Sequence, residues 1–448
     1  MAERRPGSVR FDVVVAGGGS AGVAAAVTAA EEGASTLLVE ASGSVGGTLA
    51  WQLLEHSAGF HDTSGTQVVA GFGQRLVDRL TKAGASPGHV RDDVGYTATR
   101  TPVDHAGLAL VQSMMLAEAG VTVWLHASVA EATVDATGTV TALAVETASG
   151  RREVRAHTVV DATGDAIVAQ HAGVRMQGDV AARQPVSLLF KLGGVEFTPL
   201  LDYLRAHPEE RRPGSVLGDA ASDHLNLWGL GGLLSEGHAR GVLSLLRTEM
   251  HVAGWPGRGA AIVNVTRTNM DDEGCLGAAH AVLSRQVLEF VAWFRASVPG
   301  FGRCHLVAVA DRVGVRESRR VLGRYTVTRD DVLGGRRFPD VIGRGAFPID
   351  IHAPDRPGLS HTDPVGSGYD VPYGCLVAAR RRNLLVAGRC LSSTHEANGS
   401  LRITATCFMT GEAAGAAAAL AARCGVDADT VELPVLQALL RRRGAILD

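Results

Sequence analysis

Gly17, Gly19 and Gly22 stand at the spacing G-x-G-x-x-G, and one carboxylate, Glu40, follows after the length of a helix and a strand. Glycines so placed suit a pyrophosphate: Gly17 permits a tight turn, Gly19 lets backbone approach the anion, and Gly22 lets a helix pack closely on a strand. The anion would sit on the free N–H groups of a helix start at Ser20 and Ala21, where the macrodipole favours negative charge. Glu40 is placed to accept hydrogen bonds from ribose hydroxyls. Together these residues point to a bound dinucleotide.

The flanking elements agree. Residues 11–16 are a continuous, valine-rich run of the kind a fully buried parallel strand needs. An alanine-rich helix opens at the glycine loop and closes at Gly33, and residues 35–40 read as the next buried strand, completing one βαβ unit. Further on, a helical pattern over 106–119 leads to a strand at 121–125. Residues 129–135 and 139–147 read as meander strands, and 158–162 as a buried strand ending in Thr163-Gly164-Asp165. Residues 186–192 are strand-like and 278–296 helical. Residues 383–388 return to buried-strand character, and 410–423 form an alanine-rich helix stopped by Gly425. The fold class expected is α/β: a Rossmann-like domain of parallel sheet, helices and β-meander from 1–184 and 346–448, with an α+β substrate domain inserted at 185–345.

Composition narrows the function classes. The 448 residues suffice for two domains, and the net charge of −3 with interleaved arginines offers no field for a polyanion, so neither nucleic acid nor a membrane surface is expected as a partner. Lys82 and Lys191 are the only lysines among 43 basic residues, which, with the abundant glycine and alanine, points to GC-rich bacterial coding. No apolar run of signal length precedes Gly17, and the longest apolar stretch, around 413–422, is short and alanine-rich; a cytoplasmic protein is expected. The six cysteines, among them Cys275, Cys375 and Cys390, form no C-x-x-C pair and read as free thiols. Gly229 to Gly232 reads as a glycine turn rather than a second dinucleotide site, because neither strand nor ribose acid is evident beside it.

The residues after Glu40 carry a family resemblance. Ala41-Ser42-Gly43-Ser44-Val45-Gly46-Gly47-Thr48 resembles the segment that follows the ribose acid in glutathione-reductase-type FAD flavoproteins, and Asp161-Ala162-Thr163-Gly164-Asp165 resembles their second FAD-contact strand. Residues 383–389 are similar to their late strand. The runs Val315-Arg316-Glu317-Ser318-Arg319-Arg320, Gly323-Arg324-Tyr325, Asp350-Ile351-His352, Val371-Pro372-Tyr373 and Ala387-Gly388-Arg389 resemble the FAD-dependent oxidoreductase family, which sits beside the fumarate reductase and succinate dehydrogenase flavoproteins. The resemblance is thinnest over 50–105 and 200–260, which are the expected substrate-facing regions. It implies FAD as the cofactor, with the glycine loop, Glu40, Ala41, Gly46, Gly47, Thr48, Val129, the 162–165 turn, Gly388 and Arg389 among its contacts.

Gly399-Ser400-Leu401-Arg402-Ile403 leads into the last alanine-rich helix. That helix's amino end would face the flavin ring and stabilise its anionic reduced form, with residues 399–403 as a loop facing the ring and the alanines packed on the sheet. A flavin enzyme needs substrate carbon near N5 and a group to exchange a proton. Arg316, His352 and Arg402 are the catalytic candidates, with His395, His361 and Tyr373 behind them. The simpler alternatives are an imidazole bonded to Asp350, and Arg316 and Arg319 paired with Glu317. His56 and His61 lie too far past Thr48 to match the histidine that tethers FAD in the succinate dehydrogenase relatives. One dinucleotide fold leaves no domain for NAD(P)H, so electrons are expected from a small-molecule substrate, passing to oxygen or another acceptor. The rivals are a fumarate-reductase-like reductase of activated double bonds and a non-catalytic flavin-binding subunit.

Overall fold

The computed structural model describes residues 8–178, 183–270, 276–354, 360–361 and 366–448. The apolar run at the amino end becomes β1 (Val9–Ala16), whose last four residues are wholly buried. A strand shielded on both faces needs no polar alternation, and β1 is central: it pairs in parallel with β2 (Thr36–Val39) on one side and β3 (Gly150–Asp161) on the other. Thr122–Trp124 adds in parallel beyond β2, and Leu384–Val386 pairs in parallel with the buried end of β3. The carboxyl ends of all these strands therefore emerge on one side. The other end of β3 carries the meander, antiparallel to Val140–Thr147, which pairs with Ser128–Val134. The strand expected at 158–162 is only the buried end of β3, because its first residues are polar and mostly exposed.

α1 (Ser20–Glu31) is buried from Ser20 to Ala29. Its cover is the helix expected to lie on the sheet: α2 (His395–Leu401) turns through 90° into α3 (Thr404–Cys424), which lies against α1 as well as β3. Two glycines set the spacing between the helices. A Cβ on Gly411 would come 2.1 Å from the Ala21 carbonyl oxygen, and one on Gly415 would come 2.2 Å from that of Ala25. Gly399 and Ser400, expected in a loop, belong to α2 instead, and only Arg402 and Ile403 link the two helices. No single helix among the described residues is long and apolar enough to cross a membrane. The bent pair passes by length and composition only, and α3 is buried in protein from Thr404 to Ala421.

The second lobe is a five-stranded antiparallel sheet in the order Leu225–Gly229, Met250–Trp255, Ala260–Asn264, Phe190–Gly193, His305–Val309. Helix Leu276–Ser297 packs on it through Leu283, Val287, Phe290 and Phe294, one stripe at helical spacing. The strand read at 186–192 is regular only as Phe190–Gly193, while Val186 and Ser187 make single bridges to Thr268 and Gly314. This second core runs from Val186 to Val313, whereas Val321, Val327, Val332 and Val341 pack in the first core. The insertion thus ends near 315 rather than at 345, since Val341–Gly345 pairs with Tyr369–Pro372 of the first lobe. Gly229 to Gly232 does have a strand before it and a helix, Gly231–Ala239, after it. It is still no dinucleotide site: the strand is antiparallel, and the Glu210 carboxylate accepts from Gly232 N–H at 2.8 Å and Leu233 N–H at 3.0 Å.

Candidate functional site

A cavity of ≈ 670 Å³ starts at the carboxyl ends of β1, β2, β3 and Leu384–Val386 and extends between the lobes. At its first end the walls are largely backbone. Gly17 has φ +95°, and a Cβ there would lie 2.5 Å from the Ala162 carbonyl oxygen; a Cβ on Gly22 would lie 1.7 Å from that of Gly17. Both positions are thus closed to side chains by the protein itself. Gly19 differs, since a Cβ there meets nothing nearer than the Gly47 Cα at 3.8 Å, so its emptiness serves the cavity. Gly19 also precedes α1 with no side-chain cap, which leaves the first N–H groups of the helix for an anion.

The Gly46-Gly47 segment closes on this loop. Gly46 N–H donates to the Gly18 carbonyl at 2.9 Å, and a Cβ on Gly47 would come 2.7 Å from the Gly19 Cα. The Glu40 carboxylate is buried: Oε2 accepts from Gly18 N–H and Oε1 from Ser42 N–H, each at 2.6 Å, and Oε1 also accepts from the Ser42 hydroxyl, which leaves Oε2 with a lone pair for a further donor. On the facing strand, Asp161 accepts from Thr163 N–H and Ala169 N–H and so shapes the turn through Ala162, Thr163 and Gly164; burial raises its carboxyl pKa. Arg389 and Ser318 bond Asp165 at 2.7 and 2.6 Å. Burial opposes ionisation there, yet Arg389 leads the groups that hold Asp165 below its ordinary value. Gly388, φ +76°, brings the late strand against Ala21.

These residues fit FAD: a cradle closed to side chains at Gly17 and Gly22 and left open at Gly19, uncapped N–H groups, a buried acid at a strand end, and a cavity continuing past them. Most expected contacts line the cavity, including Ser20, Ala21, Thr48, Ala162 to Asp165, Arg389, Arg402 and Ile403. Six do not. Gly22 acts through packing, Gly46 supports the loop, Ala41 is exposed outside the cavity, and Val129 faces Val145 within the meander. Gly399 abuts Asp350 backbone, and the Ser400 hydroxyl is taken by Tyr369 and the Phe347 carbonyl.

Beyond the cradle lies a chamber walled by side chains. Arg316, His352 and Arg402 do come together here, around Asp350. Arg402 donates to Asp350 Oδ2 at 3.0 Å, and His352 Nε2 lies 3.4 Å from the same oxygen. Arg316 donates to the Pro185 carbonyl and Ser187 Oγ, both at 2.8 Å, not to Glu317, which pairs with Arg320 and His395. Burial and then Arg316 push the His352 imidazole down to about 3, so it is neutral at pH 7. Burial opposes the Asp350 charge, but His352, Arg402 and Arg316 hold it well below the carboxylate range. Burial and then Arg402 push Arg316 down to about 9. Of the reserve candidates, Tyr373 donates to the Ala428 carbonyl away from the chamber, His395 serves Glu317, and the His361 side chain lies outside the described residues, as does Cys275. Cys375 and Cys390 are buried, and burial raises both thiols.

A second group was missed by sequence reasoning. Glu55, His251, Asn226 and Trp228 line the same chamber, with His56 and Tyr96 beside them. His251 Nδ1 lies 2.7 Å from Glu55, its Nε2 bonds Asn226 Oδ1, and its ring stacks on Trp228 at 4.5 Å. Arg212 donates to the Tyr96 hydroxyl at 2.6 Å and lies over Trp228 at 4.4 Å. The segments are those where the family resemblance was thinnest, and that thinness was their only mark in the sequence.

A family model described as FAD dependent oxidoreductase matches residues 12–440. No curated protein matches the sequence. Among solved structures, the flavin-dependent brominase Bmp2 is 13% identical, covers 97% of this chain and 84% of its own, and superposes with TM-score 0.50. A geranylgeranyl bacteriochlorophyll reductase-like protein from Thermoplasma acidophilum is 13% identical over 98% and 84%, with TM-score 0.48. The p-nitrophenol 4-monooxygenase PnpA from Pseudomonas putida is 11% identical over 98% and 82%, with TM-score 0.47. At 13% identity and a TM-score of 0.50, the likeness to Bmp2 speaks for the fold alone.

Proposed function

The chain belongs to the FAD-dependent oxidoreductase family, and we infer that it acts as a dehydrogenase or oxidase on a C–H bond of a small organic substrate. The observation that carries this reading is the continuity of one cavity from the glycine cradle to a chamber lined by His352, Asp350, Arg402 and Arg316. When bound, FAD supplies a hydride acceptor at N5, and oxygen or another acceptor would remove the electrons. In this reading His352 takes the proton that a hydroxyl or amine loses as its carbon is oxidised; burial and Arg316 disfavour the charged ring, and Asp350, 3.4 Å from Nε2, offsets that cost. Arg402 holds Asp350 in place. The second lobe's antiparallel sheet serves as the chamber wall, with Leu189, Asn226, Trp228 and His251 facing inward.

A second reading is a reductase of activated double bonds. Arg316 favours it, because a guanidinium pushed down to about 9 at the chamber wall is placed to donate a proton. One experiment separates the two. FAD-reconstituted protein is mixed anaerobically with panels of alcohols, amines and hydroxy acids, then photoreduced and mixed with unsaturated acids. Bleaching by the first panel supports the dehydrogenase reading; reoxidation by the second alone transfers support to the reductase. A flavin inert to both sinks both readings and favours the binding subunit.

A further inference from the structure

We propose that Glu55, His56 and His251 form a binding site for a divalent first-row transition metal ion on the chamber wall. One donor atom from each residue lies within 4.8 Å of the others, in a cavity open to small molecules. Two nitrogens and a carboxylate are the donor set that such ions favour over calcium or magnesium, and three protein ligands leave coordination positions open toward the chamber.

The tautomer of His251 is the first support. Asn226 donates its amide to Asp92 Oδ1 at 3.4 Å, which turns its carbonyl oxygen toward His251 Nε2. That nitrogen must then carry a proton, which leaves Nδ1, 2.7 Å from the Glu55 carboxylate, as the ring atom that can take a metal ion. At this distance either a proton or a metal ion joins the two atoms. Orienting a ligand histidine by a bond to its other nitrogen, with the ring clamped on Trp228, is how proteins prepare such a ligand.

Unmet polar atoms are the second support. Glu55 is 1% exposed, yet among the described residues its Oε2 has no hydrogen-bond partner, and His56 Nδ1, 3.4 Å from Glu55 Oε1, has none there either. Buried polar atoms left bare are costly, and a metal ion would offset that cost. Charge agrees as well: Glu55 and Asp92 are linked through His251 and Asn226, and Asp93 is bonded to Arg100, the one cation in this set. An added divalent ion restores balance. Its open positions would hold an oxygen donor of the substrate, a carboxylate or an alkoxide. That last step rests on the hydride-transfer reading, whereas metal binding does not.

The test uses the FAD-loaded full chain, stripped with chelator and titrated calorimetrically with Zn²⁺ and Co²⁺, with metal content measured after dialysis. One equivalent is expected, weakened more than about tenfold in Glu55→Gln and in His251→Gln. His56→Ala, on the less buried ring, keeps the test open if the other two fail to fold; its FAD content and melting temperature should stay as in the wild type while affinity falls. No stoichiometric ion, which is the result if a proton bridges His251 and Glu55, overturns the proposal. So does an equivalent that binds His56→Ala and His251→Gln as tightly as the wild type. A metal-loaded protein whose flavin ignores every substrate would sink the hydride reading and leave the metal site standing.

Discussion

The two ends of the cavity are built from different material. The cradle is backbone: Gly17, Gly19 and Gly22 at one strand end, Gly46 and Gly47 beside them, the 162–165 turn opposite. The chamber is side chain, with His56 and Tyr96 from the 50–105 segment, Trp228 and His251 from the second lobe, and His352 and Arg402 from the returning chain. A backbone site depends on local sterics, so only one residue type fits and its spacing shows. A side-chain site depends on which distant segments meet, and many residue types can serve.

Four substitutions or conditions sharpen the contrast. The largest effect belongs to Gly22→Ala, whose Cβ would sit 1.7 Å from the Gly17 carbonyl oxygen; a loss of about 3 kcal/mol or more and protein purified without flavin are expected, read by thermal melting and absorbance. Next is His352→Asn, which should retain FAD while anaerobic flavin reduction by substrate slows about 10²- to 10⁴-fold. Wild-type reduction rates in that variant would remove His352 from the chemistry. Gly19→Ala comes third: the free protein has room for the methyl, so melting should not move, while FAD binds about ten- to a hundredfold more weakly, a loss of about 1.4–2.8 kcal/mol. Unchanged FAD affinity would show that the ligand does not approach Gly19.

The smallest effect is a slope. His352, His89 and His105 are held neutral, chiefly by burial, at about 3, 4 and 4, against 6.5 in the unfolded chain. The unfolded chain therefore binds more protons between those values, so their contribution to stability is full above about pH 6.5 and is lost as pH falls below it. Melting temperature should drop from about pH 7 to about pH 5. The drop should be shallower in His352→Asn, and an equal slope would place that ring's titration outside the folded chamber.

The βαβ unit was legible because a doubly buried strand and an uncapped glycine turn leave continuous apolar runs and fixed spacings, here residues 11–16 and Gly17 to Gly22. The exposed half of β3 was not, since polar residues in a meander carry no such run. Nor was the end of the insertion near 315: the valines after it read alike whichever core they join. Arg316 and His352 were marked by the family runs and Arg402 by the segment before the last helix, yet nothing local shows that Asp350 joins Arg402 to His352 or that Glu317 turns to Arg320 instead.

Glycine spacing, strand burial and one acid at a strand end suffice to specify a dinucleotide cradle, because they act over neighbours in the chain. Glu55 and His251 are ordinary residues until the antiparallel sheet of the second lobe lays one against the other. Their meeting depends on packing between segments far apart in the chain, and no local spacing records it.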